Sequence, residues 1–135
     1  MKQEILFRGK LKSGGKWIYG MPTYDFEYIF NDDNLDSPDC YEVDSKTIGL
    51  FSTIYDKNKK RIFEGDIFKL GCEKDLFEVR FVYGCFLAYL KGKQFGILGE
   101  LHTCFIDVVG NVYDNPELLK VNEWLKNYNN KKLER

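Results

Sequence analysis

The sequence predicts a mostly β protein, built as a small antiparallel barrel or sandwich with one helix at its C-terminal end. Three observations support this fold class. Short segments of alternating apolar and polar residues follow one another along the chain, and turn-forming residues separate them. The apolar period changes from two to three or four only once, after residue 115. An α/β fold would place helices between its strands, and no second helix is visible.

Length and composition fit one compact soluble domain. The chain has 135 residues, 44% of them hydrophobic, which is enough to bury a core without disulfides, metal or any other cofactor. Its net charge is -1. A protein that binds nucleic acid mainly by neutralising phosphates needs an excess of basic residues, so the charge balance disfavours that class. We therefore expect a single domain over residues 1–135.

In the first half of the chain, residues 4–8 read as a strand, and residues 12–16, with two glycines, read as the turn of a hairpin. Residues 17–19 open the return strand. In residues 24–30 the aromatic side chains alternate, which places them together on one face of a further strand. Since Phe and Tyr of a half-buried strand usually point inward, we expect most of the aromatic side chains of the whole chain in the core.

In the second half, a strand over residues 62–70 is broken by Glu64-Gly65-Asp66, where the glycine indicates a bulge or bend. The clearest strand covers residues 75–83, and its alternation predicts that Phe77, Val79 and Phe81 point inward. Residues 85–90 are apolar almost throughout and predict a central strand. Strands over residues 95–98 and 104–113 complete the β part.

The last element is a predicted amphipathic helix over residues 116–128. Asn115 is a suitable cap, and Pro116 suits the first helical position. Apolar residues then recur at helical spacing, as at Leu118, Val121 and Leu125. We expect this helix to pack on its own domain or on a second copy, and residues 129–135 to fray.

Charge is unevenly distributed, although the total is nearly neutral. Eight acidic residues and no Lys or Arg occupy residues 25–44, whereas residues 57–61 are strongly basic. The four cysteines lack the spacing of a zinc or redox motif, and no export signal or membrane-spanning segment is visible, so we expect free thiols, mostly buried, in the cytoplasm of a host cell.

Four ordered segments resemble the YopX family of phage and prophage proteins. They are residues 7–8 with 16–20, residues 47–58, residues 61–67, and residues 108–118. The motif residues that we single out, with a structural role expected for each, are Trp17, Gly49, Asp56, Glu64, Gly65, Asp66, Gly110, Asn111, Asn115 and Pro116. Two departures concern turns: the family has glycine where this chain has Lys59, and Gln, Phe or Tyr, Thr and Gly where this chain has residues 50–53. The resemblance implies a barrel related to SH3-type barrels with its strands retained, and it brings no catalytic residue.

The sequence offers only weak candidates for catalytic or metal-binding sites. Glu64 and Asp66 are a carboxylate pair of the kind that holds Mg²⁺, but no third ligand is near, so a bend is the stronger interpretation. His102 and Cys104 are two residues apart and could share a strand face, but the Cys and His of a thiol-imidazole nucleophile usually come from distant segments of the chain. The loop at residues 31–36 lacks the glycine and the terminal Glu of a calcium loop. We therefore predict no catalytic residue and no metal site.

The leading functional hypothesis is a non-enzymatic accessory protein, encoded by a phage, that acts by protein–protein contact with a host or phage protein and forms homo-oligomers. The alternative is a nucleic-acid-binding barrel, which the aromatic content and the basic residues 57–61 favour. A third hypothesis is an acidic decoy that occupies a DNA-binding host protein through residues 25–44. The deciding feature is the surface: a groove shared by basic and aromatic side chains indicates nucleic acid, and an exposed apolar patch indicates a protein partner.

Overall fold

Two open antiparallel sheets make up most of the described part of the chain. The computed structural model describes residues 4–31 and 39–119. The strands, in chain order, are β1 (Phe7–Lys10), β2 (Trp17–Pro22), β3 (Tyr28–Asn31), β4 (Cys40–Glu42), β5 (Gly49–Tyr55), β6 (Arg61–Phe63), β7 (Asp66–Leu70), β8 (Leu76–Val82), β9 (Cys85–Leu90), β10 (Lys93–Ile97) and β11 (Ile106–Asn111). Short 3-10 helices cover Ser45–Thr47, Leu98–Glu100 and Thr103–Phe105.

The predicted mostly β, antiparallel class is confirmed, but the sheets are not closed into a barrel. One sheet has the order β4-β3-β2-β1-β5-β6 and the other β10-β9-β8-β7-β11, so each ends in two edge strands. The edges of the larger sheet, β4 and β6, have three residues each, and ladders this short leave little backbone with which to close a sheet.

The chain divides into two compact units, Met1–Thr53 and Ile54–Arg135. The prediction of a single domain over residues 1–135 concerns the whole chain and stays a prediction. The first unit holds β1 to β4 and the start of β5, and its core is formed by Ile18, Ile29 and Val43. A Cβ atom on Gly9 would lie 2.9 Å from Cδ1 of Ile29, so this core needs the bare backbone of a glycine in β1.

The predicted strand over residues 24–30 is wrong at its start, and its aromatic side chains are exposed. Residues 24–27 form a turn, closed by a bond from the amide of Thr23 to the carbonyl of Tyr28 at 2.8 Å. In β3 it is Ile29 that is fully buried, whereas Tyr28 and Phe30 are exposed. The alternation therefore separates the two faces of the strand correctly, but the compact aliphatic side chain occupies the inner face.

The second unit contains a five-stranded sheet whose inner side builds the larger core. The buried members are Ile62, Phe68, Phe77, Val79, Ala88, Leu98, Ile106 and Val108. The strands β8 and β9 form a hairpin whose turn is Tyr83-Gly84, with φ of 50° and 77°. Positive φ at both central positions is typical of the type I′ turn, whose twist matches that of its strands.

The structure confirms one expectation for this unit and corrects part of another. The break predicted at Glu64-Gly65-Asp66 is present, because β6 ends at Phe63 and β7 begins at Asp66. Phe77 and Val79 are buried, as predicted, whereas Phe81, on the same side of β8 by alternation, keeps 38% of its surface exposed. Phe81 packs instead on Phe86 of β9, with ring centroids 4.7 Å apart, near the end of the hairpin.

The described part of the chain ends just inside the predicted C-terminal helix. Residues 117–119 have helical backbone, and the amide of Leu119 donates to the carbonyl of Pro116 at 3.1 Å. The rest of the predicted helix over residues 116–128 and the tail over residues 129–135 lie outside the described residues. Within residues 4–31 and 39–119, no helix is long and apolar enough to span a membrane.

The cysteines are free thiols, as predicted, but the expectation that most are buried is wrong. Cys40, Cys72 and Cys104 are exposed, and Cys85 is half-buried. Cys72 follows the end of β7 and Cys104 precedes the start of β11. Both residues therefore lie outside the strands, in segments whose side chains do not contribute to the core.

Candidate functional site

The outward side of the first-unit sheet carries an exposed group of large apolar side chains. In the ladder between β2 and β3, Met21 lies opposite Phe30, and directly opposed residues of an antiparallel pair point to the same side. Tyr19 is two residues before Met21, and Tyr28 is two residues before Phe30, so they share that side. We call these four residues the outer aromatic face. Their exposed fractions are 41% for Tyr19, 48% for Met21, 37% for Tyr28 and 42% for Phe30.

One end of the same side carries cations over a ring. Arg8 and Lys10 of β1 lie opposite Tyr19 and Trp17 of β2 in the ladder. The guanidinium carbon of Arg8 is 4.6 Å from the Trp17 ring centroid, and the Lys10 ammonium is 5.9 Å from it. Arg8 itself is buried. The two cations are thus within cation–π range of Trp17, which lies beside the outer aromatic face.

Acidic side chains also lie near the outer aromatic face. The turn from β2 to β3 contains Asp25 and Glu27. In β4, Glu42 lies opposite Tyr28 and shares its side, whereas Asp39 accepts from the hydroxyl of Tyr41, whose ladder partner is the buried Ile29. The Thr23 hydroxyl donates to the Asp25 carboxylate at 2.6 Å and the Glu27 amide donates to it at 3.1 Å. These two hydrogen bonds hold the pKa of Asp25 below its ordinary value of 3.8, and the bond from Thr23 has the larger effect. The sequence adds Asp32, Asp33 and Asp36 between β3 and β4, outside the described residues.

The motif residue Asp56 ties a turn to a distant strand. Its Oδ1 atom accepts from the amides of Asn58 at 2.8 Å and Lys60 at 2.9 Å, which closes the turn between β5 and β6. Its Oδ2 atom accepts from the buried amide of Val108 in β11 at 3.0 Å. Asp56 is buried, and nothing in the local sequence reveals the bond to a strand 52 residues away.

The two departures from the YopX pattern fall at unusual backbone conformations. Lys59, in the turn after Asp56, has a φ of 63°, and Thr53, within β5, has a φ of 68°. In both places the family pattern has glycine, which adopts positive φ without a steric penalty. The strands on either side are retained, as predicted. The backbone of both residues therefore lies in the left-handed region, where a residue other than glycine is strained.

The Glu64-Gly65-Asp66 motif forms a turn between β6 and β7. Gly65 has a φ of 92°, and its amide donates to the carbonyl of Val79 at 2.8 Å. The Asp66 carboxylate is buried and accepts from the amide of Phe63 at 2.8 Å. Its oxygen thus bonds the backbone of its own turn. Among residues 4–31 and 39–119, no group of three or more His, Cys, Asp or Glu is arranged to hold a metal ion.

A third motif cluster closes β11. Asn111 accepts on Oδ1 from the amides of Tyr113 at 3.0 Å and Asp114 at 2.8 Å, and its backbone amide donates to Oδ1 of Asn115 at 3.2 Å. A Cβ atom on Gly110 would come within 2.4 Å of Oδ1 of Asn115, so this packing requires glycine. The sequence predicts Asn115 as a helix cap; its side-chain oxygen also binds the start of the helical segment back to the strand.

The remaining sequence candidates are spread over the fold. Trp17 and Gly49 lie in β2 and β5, and both pair with β1. His102 precedes the 3-10 helix Thr103–Phe105, and its ring meets that of Phe105 edge-on at 6.2 Å. Most of the suggested calcium loop at residues 31–36 lies outside the described residues. Lys57, in the basic stretch 57–61, pairs with Asp107 at 3.7 Å in the second unit.

Sequence comparison relates the chain to a known family. A family model described as "YopX protein" matches residues 7–120 of the 135-residue chain. This match covers all eleven strands of the described residues and the three motif clusters described above. No curated protein matches the chain.

Proposed function

The chain belongs to the YopX family, and we propose that this member is a non-enzymatic accessory protein of a phage or prophage that acts by protein–protein contact. The single observation that carries the proposal is the outer aromatic face. Its four side chains are neighbours on two paired strands, and each exposes more than a third of its surface. A contiguous exposed apolar patch with a polar rim is typical of a protein-binding surface.

Charge around the face favours a protein partner over nucleic acid. The carboxylates Asp25 and Glu27 lie in the turn that joins β2 to β3, and Glu42 lies opposite Tyr28 in the neighbouring strand. Phosphates would approach this border at an electrostatic cost, because proteins bind the nucleic acid backbone with basic side chains. The cations of the same side, Arg8 and Lys10, lie over the Trp17 ring. The basic residues 57–61 belong to the second unit.

The same charges argue that the partner is a different protein. A two-fold symmetric dimer that places each acidic border against its own copy would bring like charges together. Like charges placed across an interface cost free energy and lower the rate of association. A partner with an apolar centre and a basic rim has no such cost. The predicted homo-oligomer, which stays a prediction, would then use another surface, such as the C-terminal helix or a sheet edge.

The energy of binding requires both the apolar and the charged parts of the surface. Fully burying a large apolar side chain is worth about 1.5–3 kcal/mol, and these four residues retain roughly two fifths of their surface for a partner to cover. Together they contribute about 3–5 kcal/mol. A micromolar complex requires about 8 kcal/mol, so the carboxylates must contribute through hydrogen bonds and ion pairs with a basic partner.

The experiment is capture from a host-cell lysate with purified full-length protein, with and without nuclease. The variant Phe30→Ser removes the centre of the face, and Tyr83→Ser is the matched control, because Tyr83 is a fully exposed aromatic residue in a hairpin turn of the other unit. Tyr83 is fully exposed, so Tyr83→Ser should leave folding nearly unchanged. Phe30 is more than half buried, so Phe30→Ser loses some packing, and circular dichroism must show that both variants keep the wild-type fold before capture. We expect a defined protein that survives nuclease and is lost only with Phe30→Ser.

The alternative outcomes are distinct. Capture that disappears with nuclease, together with direct binding of single-stranded DNA or RNA in a fluorescence anisotropy assay, would replace this proposal with the nucleic-acid-binding function. If the captured protein binds DNA, competition between DNA and this chain for it would test the acidic-decoy hypothesis. Equal capture by wild type and Phe30→Ser would show that the outer aromatic face is not the binding surface.

A further inference from the structure

A cavity of about 590 Å³ lies in the second unit, apart from the elements used above. Its size is within the range of small-ligand pockets, which is about 300–1,000 Å³. The wall residues come from two stretches of chain that follow β7 and β10. They are Leu70, Gly71, Cys72, Glu73, Lys74, Asp75, Glu100, Leu101, His102 and Phe105.

The walls of the cavity are held by backbone hydrogen bonds. The amide of Gly71 donates to the carbonyl of Phe105 at 2.8 Å, which joins the two stretches of chain. On one side, the amide of Glu73 donates to the carbonyl of Leu70 at 3.1 Å; on the other, that of Leu101 donates to Leu98 at 3.1 Å. The cavity is therefore formed before any ligand arrives, which lowers the entropic cost of binding.

The lining combines apolar side chains with negative charge. Leu70 and Leu101 pack against the larger core of the second unit, and Phe105 keeps 53% of its surface exposed. The charged side chains on the wall are three carboxylates and one lysine, which leaves an excess of negative charge. They are Glu73, Asp75, Glu100 and Lys74. The contact of Asp75 with Lys91 at 3.9 Å joins two well-exposed side chains and neutralises little of that charge.

We propose that this cavity binds a cation carried on an apolar stem, with an alkylguanidinium of the arginine type as its best ligand. The stem would lie on Leu70 and Leu101. A guanidinium is planar, stacks on aromatic rings and donates two parallel hydrogen bonds to a carboxylate, so it matches Phe105 together with Glu73 or Glu100. Such a group is found on an arginine side chain of a protein and on a free small molecule. The site is independent of the outer aromatic face.

The test is an NMR titration of the ¹⁵N-labelled full-length protein with N-acetyl-arginine methylamide, butylguanidine, and N-acetyl-citrulline methylamide. The citrulline compound has the shape of the arginine compound without its charge. We expect saturable shifts at the amides of Gly71, Glu73, Leu101 and Phe105 with the arginine compound, and roughly tenfold weaker binding of citrulline, because bonds to ionised groups are about twice as strong as neutral ones. Added salt should weaken the arginine binding.

Variants separate a real site from weak general attraction. The double variant Glu73→Gln with Glu100→Gln, and the variant Phe105→Leu, should each weaken arginine binding by roughly three- to tenfold. The control Glu42→Gln, at an exposed carboxylate of the first unit, should leave it unchanged. Tighter binding of the arginine compound than of butylguanidine would indicate a protein side chain as the ligand, and the reverse order a small molecule. Equal binding of arginine and citrulline, or no saturable shift up to about 10 mM, would overturn the proposal.

Discussion

Removal of the Asp56 carboxylate should be one of the most destabilising single changes in the second unit. Asp56 is buried and accepts three backbone hydrogen bonds, from Asn58, Lys60 and Val108. In Asp56→Ala the amides of Asn58 and Lys60 lie in an exposed turn, where water replaces the lost acceptor at a cost of about 0.5–1 kcal/mol each. The Val108 amide is buried, and leaving it without an acceptor costs about 1–3 kcal/mol.

The sum predicts a loss of about 2–5 kcal/mol in the free energy of unfolding for Asp56→Ala. Urea denaturation followed by circular dichroism measures it. Asp56→Asn keeps one oxygen, which serves either the turn or the Val108 amide but not both, so it should fall between wild type and alanine. The matched control is Asp107→Ala, a half-buried carboxylate that contacts Lys57 and Asn58 of the same turn.

A surface ion pair such as that of Asp107 is worth about 0–1 kcal/mol, so the control should lose no more than that. Asp56→Ala and Asp107→Ala with equal losses would refute the reasoning, since it depends on burial of the Val108 amide. A loss for Asp56→Asn as large as that for alanine would show that both carboxylate oxygens are indispensable.

Four further predictions concern local structure. Lys59→Gly should stabilise the protein by about 1 kcal/mol in urea denaturation, because it relieves a left-handed φ of 63°. Gly110→Ala should cost about 1–3 kcal/mol in the same assay, since the added Cβ would lie only 2.4 Å from a side-chain oxygen. Phe77→Ala should cost about 3–5 kcal/mol, whereas Phe81→Ala, with 38% of its surface exposed, should cost about half as much. The pKa of Asp25 is lowered in the folded state, so its stabilising effect is present above its ordinary pKa of 3.8 and is lost as pH falls below that value. In an NMR titration the amide shift of Glu27, which donates to Asp25, should change with the protonation of Asp25, and Asp25→Asn should remove that change.

Local pattern predicts the strands well, because alternation and turn residues are local properties. It does not determine which side of β3 faces the core. Tyr28, Ile29 and Phe30 are all apolar enough to be buried, and the choice depends on the space beside Gly9, where a Cβ atom would already lie within 2.9 Å of Ile29. Period two divides a strand into two faces, and only the packing partner decides which of them is inner.

The roles of the motif residues depend on contacts between distant segments. The sequence shows that Asp56 begins a turn, but its bond to Val108 joins residues 52 positions apart. The cavity near Phe105 likewise combines stretches that the sequence separates by about thirty residues. The outer aromatic face is visible in the sequence as an aromatic alternation, yet the expectation that aromatics point inward hides its significance. That side is exposed because it points away from the core of Ile18, Ile29 and Val43.

The most direct test of the central claim is the affinity of the captured partner, purified and freed of nucleic acid, for the wild-type protein and two variants in titration calorimetry. We predict that Phe30→Ser weakens binding by about tenfold or more, which corresponds to about 1.4 kcal/mol, and that Tyr83→Ser changes it by less than about twofold. The heat-capacity change of binding should be negative, since apolar surface is buried. Unchanged affinity of Phe30→Ser, or an equal loss in Tyr83→Ser, would contradict the claim that the outer aromatic face is the protein-binding surface.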